Sequence, residues 1–158
     1  MRGGSRILTW LTLTLPLGSS LQGQRLVHIK QTLDSRIDVP VRTVAYDSAT
    51  LAVWWRQTTN NPFDSSAPPR IDFHRYMVIV VAMGARPTIG NAFAITSIDS
   101  TATSIRVHVR MSSPGNDCVE GMEAQYPVDL VQVPRSNKLV IFDDQYREVA
   151  CKPVTHHD

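Results

Sequence analysis

Tyr76-Met77-Val78-Ile79-Val80-Val81-Ala82-Met83 is the stretch on which the fold turns. From Met77 to Met83 every side chain is apolar, so neither a period of two nor one of 3.6 separates a wet face from a dry one, and Gly84 closes the run. A short continuous run of this kind, rich in Val and bounded by a turn residue, reads as a central strand buried on both faces. Upstream, Leu26 to Gln31 alternates, with Val27 and Ile29 on one face and His28 and Lys30 on the other, which predicts a half-buried strand. Asp38 to Tyr46 reads as a second strand, entered at Pro40. Ser48 then offers a cap for a helix in which Leu51, Trp54 and Trp55 fall at i, i+3 and i+4 and form one apolar stripe directed at the core. Asn60 to Arg70, with Pro62, Pro68, Pro69 and paired serines, carries turn chemistry and predicts an exposed loop.

Downstream, Ala92 to Ile98, Ser104 to Met111 and Val128 to Val133 read as strands, with a shorter one at Lys138 to Phe142. Ile105, Val107, Val109 and Met111 alternate with Arg106, His108 and Arg110, the pattern of a sheet with one solvated face. The expected fold is mainly β (α+β): an antiparallel sandwich or partly closed barrel with one short helix packed on it.

The composition suits one soluble globular domain: 158 residues, 42% hydrophobic and 19% charged, with a mean hydropathy of -0.13. Arg2 and Arg6 precede an apolar stretch from Ile7 to Leu17, followed by Gly18, Ser19 and Ser20, the three parts of a secretory signal. Thr9, Thr12, Thr14 and Pro16 interrupt that stretch, which falls short of the roughly 20 apolar residues a spanning helix needs. Residues 1–23 are therefore expected to be a signal peptide and residues 24–158 a single globular domain, periplasmic or secreted, with no transmembrane anchor in the mature chain. Loss of Arg2 and Arg6 leaves 14 basic against 14 acidic side chains, a neutral protein without the positive field that nucleic-acid binding requires. In an oxidising compartment the even cysteine count favours one disulfide, Cys118 to Cys151; two buried free thiols are the competing reading.

Catalytic patterns are absent from the sequence. It contains no GxSxG elbow, no GxxxxGK[ST] and no GxGxxG, so no nucleophile turn or phosphate cradle is expected, and no cofactor. Asp143 with Asp144, and the terminal His156, His157 and Asp158, are the only clustered metal-ligand types, and they match no HExxH or EF-hand spacing. No metal and no enzymatic activity are expected.

One segment suits contact with another molecule: Gly84-Ala85-Arg86-Pro87-Thr88-Ile89-Gly90-Asn91-Ala92-Phe93, in which Pro87 stiffens a backbone that Gly84 and Gly90 allow to turn. Together with Ile71-Asp72-Phe73-His74-Arg75-Tyr76-Met77-Val78, Pro114-Gly115 near Cys118, and Val133-Pro134-Arg135, it resembles the C-terminal domain of the PrcB protease-complex subunit family, most clearly over residues 71–142. Ile89 stands where that family has the first Gly of a pair, and Asn91-Ala92-Phe93 where it has Gly-Tyr. The resemblance implies an exported accessory protein that associates with an extracytoplasmic protease and is not itself one. Its protein-binding edge would comprise Arg86, Pro87, Thr88, Gly90, Asn91 and Phe93, with Phe93 as apolar anchor. The Pro-Thr-x-Gly run is also similar to the loop with which chagasin-like inhibitors enter cysteine-protease clefts, so protease inhibition through Arg86 to Phe93 is the alternative.

Overall fold

A computed structural model describes residues 26–115, 118, 121 and 123–151. The expected signal segment, residues 1–23, and His156, His157 and Asp158 lie outside the described residues. Among the described residues, seven strands and one helix occur in the order β1 (Val27–Thr32), β2 (Pro40–Ala45), α1 (Ser48–Trp55), β3 (Tyr76–Met83), β4 (Ala92–Ser100), β5 (Ser104–Pro114), β6 (Val128–Pro134) and β7 (Leu139–Val149). They form a sandwich, a four-stranded sheet in the order β1-β6-β3-β2 against a three-stranded sheet in the order β4-β5-β7.

β3 occupies the place its sequence predicts. Met77, Ile79, Val81 and Met83 enter the core between the sheets with Phe93, Ile95, Ile105, Val107, Val109, Val131 and Val133. Val78, Val80 and Ala82 point the other way, into a second core with Leu51 and Trp55 of α1, Ile37, Ala45, Val128 and Leu130. Each such aliphatic side chain contributes about 1.5–3 kcal/mol through its removal from water, so β3 anchors both layers at once. Trp55 belongs to this second core, and its indole Nε1 donates to the Ser66 carbonyl at 3.0 Å, drawing the irregular 60–70 segment over α1.

Several local expectations change. The helix cap is Asp47, not Ser48: its carboxylate accepts from the Thr50 backbone N–H at 2.7 Å and the Thr50 hydroxyl at 2.9 Å. That bond from the Thr50 N–H holds the Asp47 carboxyl below its ordinary range. In β1 a bulge between His28 and Lys30 breaks the alternation, leaving Val27 exposed while Ile29 packs on the helix-side core. The sandwich is antiparallel except for β5 and β7, which pair in parallel from Ser104↔Leu139 to Pro114↔Val149. The cause is the short connection after β6, which delivers the chain to the start of β5, where the Leu139 N–H meets the Thr103 carbonyl. β4 already occupies the other side of β5. β7 also runs to Val149, well past Phe142, because an exposed edge strand has no need of apolar residues.

Side chains close both open flanks of the sandwich. On one, the Arg42 guanidinium of β2 grips Asp144 of β7 through Nε and Nη2, both at 2.9 Å, while Nη1 donates to the Val41 and Ala82 carbonyls at 2.7 Å. On the other, Gln31 Nε2 donates to the Phe93 carbonyl at 3.0 Å, and Asp129 accepts from the Ile95 backbone N–H at 2.8 Å and faces His28 Nδ1 at 2.9 Å. Asp129 is 0% exposed. Its burial raises the carboxyl above its ordinary value, against the lowering pull of His28 and the Ile95 N–H.

A raised carboxyl binds its proton more tightly in the folded than in the unfolded chain, so its contribution to stability is largest at acid pH. That contribution declines as pH climbs from the ordinary carboxyl value through the raised one. Asp129→Asn keeps an acceptor for Ile95 and cannot ionise. Its stability relative to the parent should therefore rise with pH across that window in urea unfolding; parallel curves would contradict the assignment. Asp129→Ala strands the Ile95 N–H and should cost about 1–3 kcal/mol.

Candidate functional site

The segment from Gly84 to Asn91 joins β3 to β4. Gly84 has φ 77° and Gly90 φ 93°, both in the left-handed region, and a Cβ at Gly84 would lie 3.0 Å from the Asp38 carbonyl oxygen and from Pro40 Cδ. The sequence can therefore leave β3 sharply and pass close to the start of β2.

Backbone bonds hold the residues after Gly84 in place. Ala85 N–H donates to the Asp38 carbonyl at 2.9 Å, and Arg86 and Gln125 exchange two bonds of 2.8 Å. Ile89 N–H reaches the Gly121 carbonyl at 3.2 Å. Asn91, 6% exposed, is the internal brace. Its Nδ2 donates to the Thr88 carbonyl at 2.6 Å and to Gln125 Oε1 at 3.2 Å, its backbone N–H donates to the same Oε1 at 3.2 Å, and its Oδ1 accepts from the Ser113 hydroxyl at 2.7 Å. Arg86 folds back so that Nη2 donates to the Met83 carbonyl at 3.1 Å, with Nε buried and unpaired among the described residues.

The six residues expected at a contact edge therefore divide. Ala85, Pro87 and Gly90 are exposed, and Arg86, Thr88 and Ile89 half-buried, forming the crest. Asn91 and Phe93 lie beneath it. Phe93 is 5% exposed, in the core between the sheets, with the Arg42 guanidinium 5.7 Å from its ring centroid. The strand period that begins at Ala92 turns Phe93 inward with Ile95, so it is no exposed anchor. Gln125 and Ser113, which complete the brace, carry no sequence signal: they are polar residues 34 and 22 positions from Asn91.

The outer face of the three-stranded sheet carries charge. His108 sits between two carboxylates, Nε2 at 2.8 Å from Asp99 and Nδ1 at 2.9 Å from Asp143, with Arg106 and Arg110 exposed beside it. Asp143 and Asp144, adjacent in sequence, point to opposite faces of β7 and engage His108 and Arg42 respectively, so they do not act as a pair. Cys118 and Cys151 are joined, their Cα atoms 5.2 Å apart, tying the end of β7 to the segment after β5.

Comparison with known families bears on the part of the chain that builds this loop. Residues 77–134 match the family model described as PrcB C-terminal. The PrcB C-terminal match spans the central strand, the crest, β4, β5 and β6, so it includes the loop and two strands of each sheet, and leaves β1, β2, α1 and β7 outside it. No curated protein matches the chain, and no solved structure does.

Asn91→Ala removes the brace without touching the crest. It should lower stability by about 1–2 kcal/mol and speed hydrogen exchange at the Arg86 and Ile89 amides by roughly tenfold, leaving β3 amides unchanged. Unaltered exchange at those two amides would show that the loop is held by its backbone bonds alone.

Proposed function

We propose that residues 24–158 are exported after loss of the signal segment and form one non-catalytic protein-binding module, an accessory subunit of an extracytoplasmic protease. The observation that carries this reading is the PrcB C-terminal match over residues 77–134, whose family name is that of a protease-complex subunit. Two features support it. A bonded cysteine pair is typical of proteins that work outside the reducing cytoplasm. A braced, glycine-hinged crest presents Pro87, Thr88 and Gly90 at little entropic cost on binding, with the Arg86 side chain folded back beneath them. Among the described residues no helix is long and apolar enough to cross a membrane. Direct inhibition in the chagasin-like manner gains no support, because the aromatic side chain of this segment is packed inside the protein.

Affinity capture by the tagged mature protein from exported fractions should enrich a protease, and Thr88→Arg, which puts a bulky charge on the crest, should abolish that enrichment. Equal recovery with the variant would remove the crest from the interface. Enrichment of no protease over control would remove the subunit role itself.

A further inference from the structure

Among the described residues four strands stand at sheet edges, and three of them are blunted against further pairing by their length, shape or side-chain cover. β1 is six residues long and bulged between His28 and Lys30. β2 begins at Pro40, and Arg42 Nη1 covers the Val41 carbonyl. β4 has its Phe93 carbonyl and Ile95 N–H taken by Gln31 and Asp129. These are the ordinary devices by which an edge avoids another strand. β7 is 11 residues long, free of Pro and Gly, and unbroken in register against β5; the device it carries is charge, which a partner strand in the right register neutralises.

The direction of its backbone is set by two bonds. Leu139 N–H donates to Thr103 and the Val149 carbonyl accepts from Gly115, so odd-numbered residues turn their backbone groups toward β5. Val140, Phe142, Asp144 and Tyr146 turn theirs outward, where no strand pairs with them among the described residues. We infer that this edge pairs antiparallel with β7 of a second copy, in the register centred on Gln145, making one continuous six-stranded sheet from two three-stranded ones.

The register is chosen by charge. A twofold axis perpendicular to a sheet requires directly opposed residues to share a face, so the axis must fall on a residue. Centred on Gln145, Asp143 opposes Arg147 of the second copy and Ile141 opposes Val149, both as closely approaching non-hydrogen-bonded pairs. Asp144 and Tyr146 then exchange the backbone bonds on either side of the axis. Moving the centre by one residue opposes Asp144 to its own copy in one direction and to Glu148 in the other, like charges in both cases. Arg147 forms no ion pair among the described residues, and Ile141 and Val149 are both exposed, so the pairing covers groups that the single chain leaves in water. This pairing is independent of what binds the crest.

Sedimentation of the mature chain across the micromolar range tests it. The parent protein should be dimeric. Tyr146→Pro, which deletes an outward N–H and leaves the β5 ladder intact, should be monomeric with an unchanged circular dichroism spectrum. Arg147→Asp and Asp143→Arg should each raise the dimer Kd at least roughly tenfold, and mixing the two variants should restore dimers, because every opposed pair is then of opposite sign. A monomeric parent, a dimer indifferent to Tyr146→Pro, or a mixture no tighter than its components would overturn the proposal.

Discussion

With Met77 to Met83 withdrawn from water on both faces, β3 needs cover above and below, and each layer of the protein is one of those covers. The three-stranded sheet lies over Met77, Ile79, Val81 and Met83; α1 lies over Val78, Val80 and Ala82. The two neighbours of β3 in its sheet, β2 and β6, satisfy its backbone groups. An apolar strand of this kind has no stable arrangement with only one sheet, which is why a short helix contributing chiefly Leu51 and Trp55 has a structural place at all.

Such a sandwich is open along its flanks, and here the flanks are closed by polar side chains in place of backbone ladders. The Arg42 to Asp144 fork costs little, since both groups keep contact with water. Asp129 is different: a carboxylate with no exposure, placed among aliphatic neighbours, holds the β4 edge through the Ile95 N–H. That bond fixes where β4 starts relative to β6, and so fixes the far end of the loop whose near end is set by Gly84. The crest is thus rigid because of what lies below it, from the Asn91 brace down to the β4 and β6 junction.

The central strand, the helix stripe and the alternation of β5 are legible in the sequence because burial imposes a period on the side chains. Features that burial does not pattern are not. The lower half of β7, Asp143-Asp144-Gln145-Tyr146-Arg147-Glu148, looks like a polar tail because an edge strand in water is polar on both faces. The parallel pairing of β5 and β7 depends on where the short connection between Pro134 and Leu139 emerges, which no local pattern encodes. Likeness to other contact loops points Phe93 to the surface, although its own position, one residue into a strand, assigns it inward. Asp129 carries a readable clue of its own: a charge at a core-facing position of Val128-Asp129-Leu130-Val131 signals a buried polar tie.

Native-state hydrogen exchange across β3 tests the dependence of the whole on that strand most directly. If both faces of β3 are core, its amides from Val78 to Ala82 exchange only through global unfolding, with protection equal to the stability measured by denaturant and greater than that of any β7 amide. Exchange from β3 through a smaller local opening, or protection no greater than in β7, would contradict that dependence.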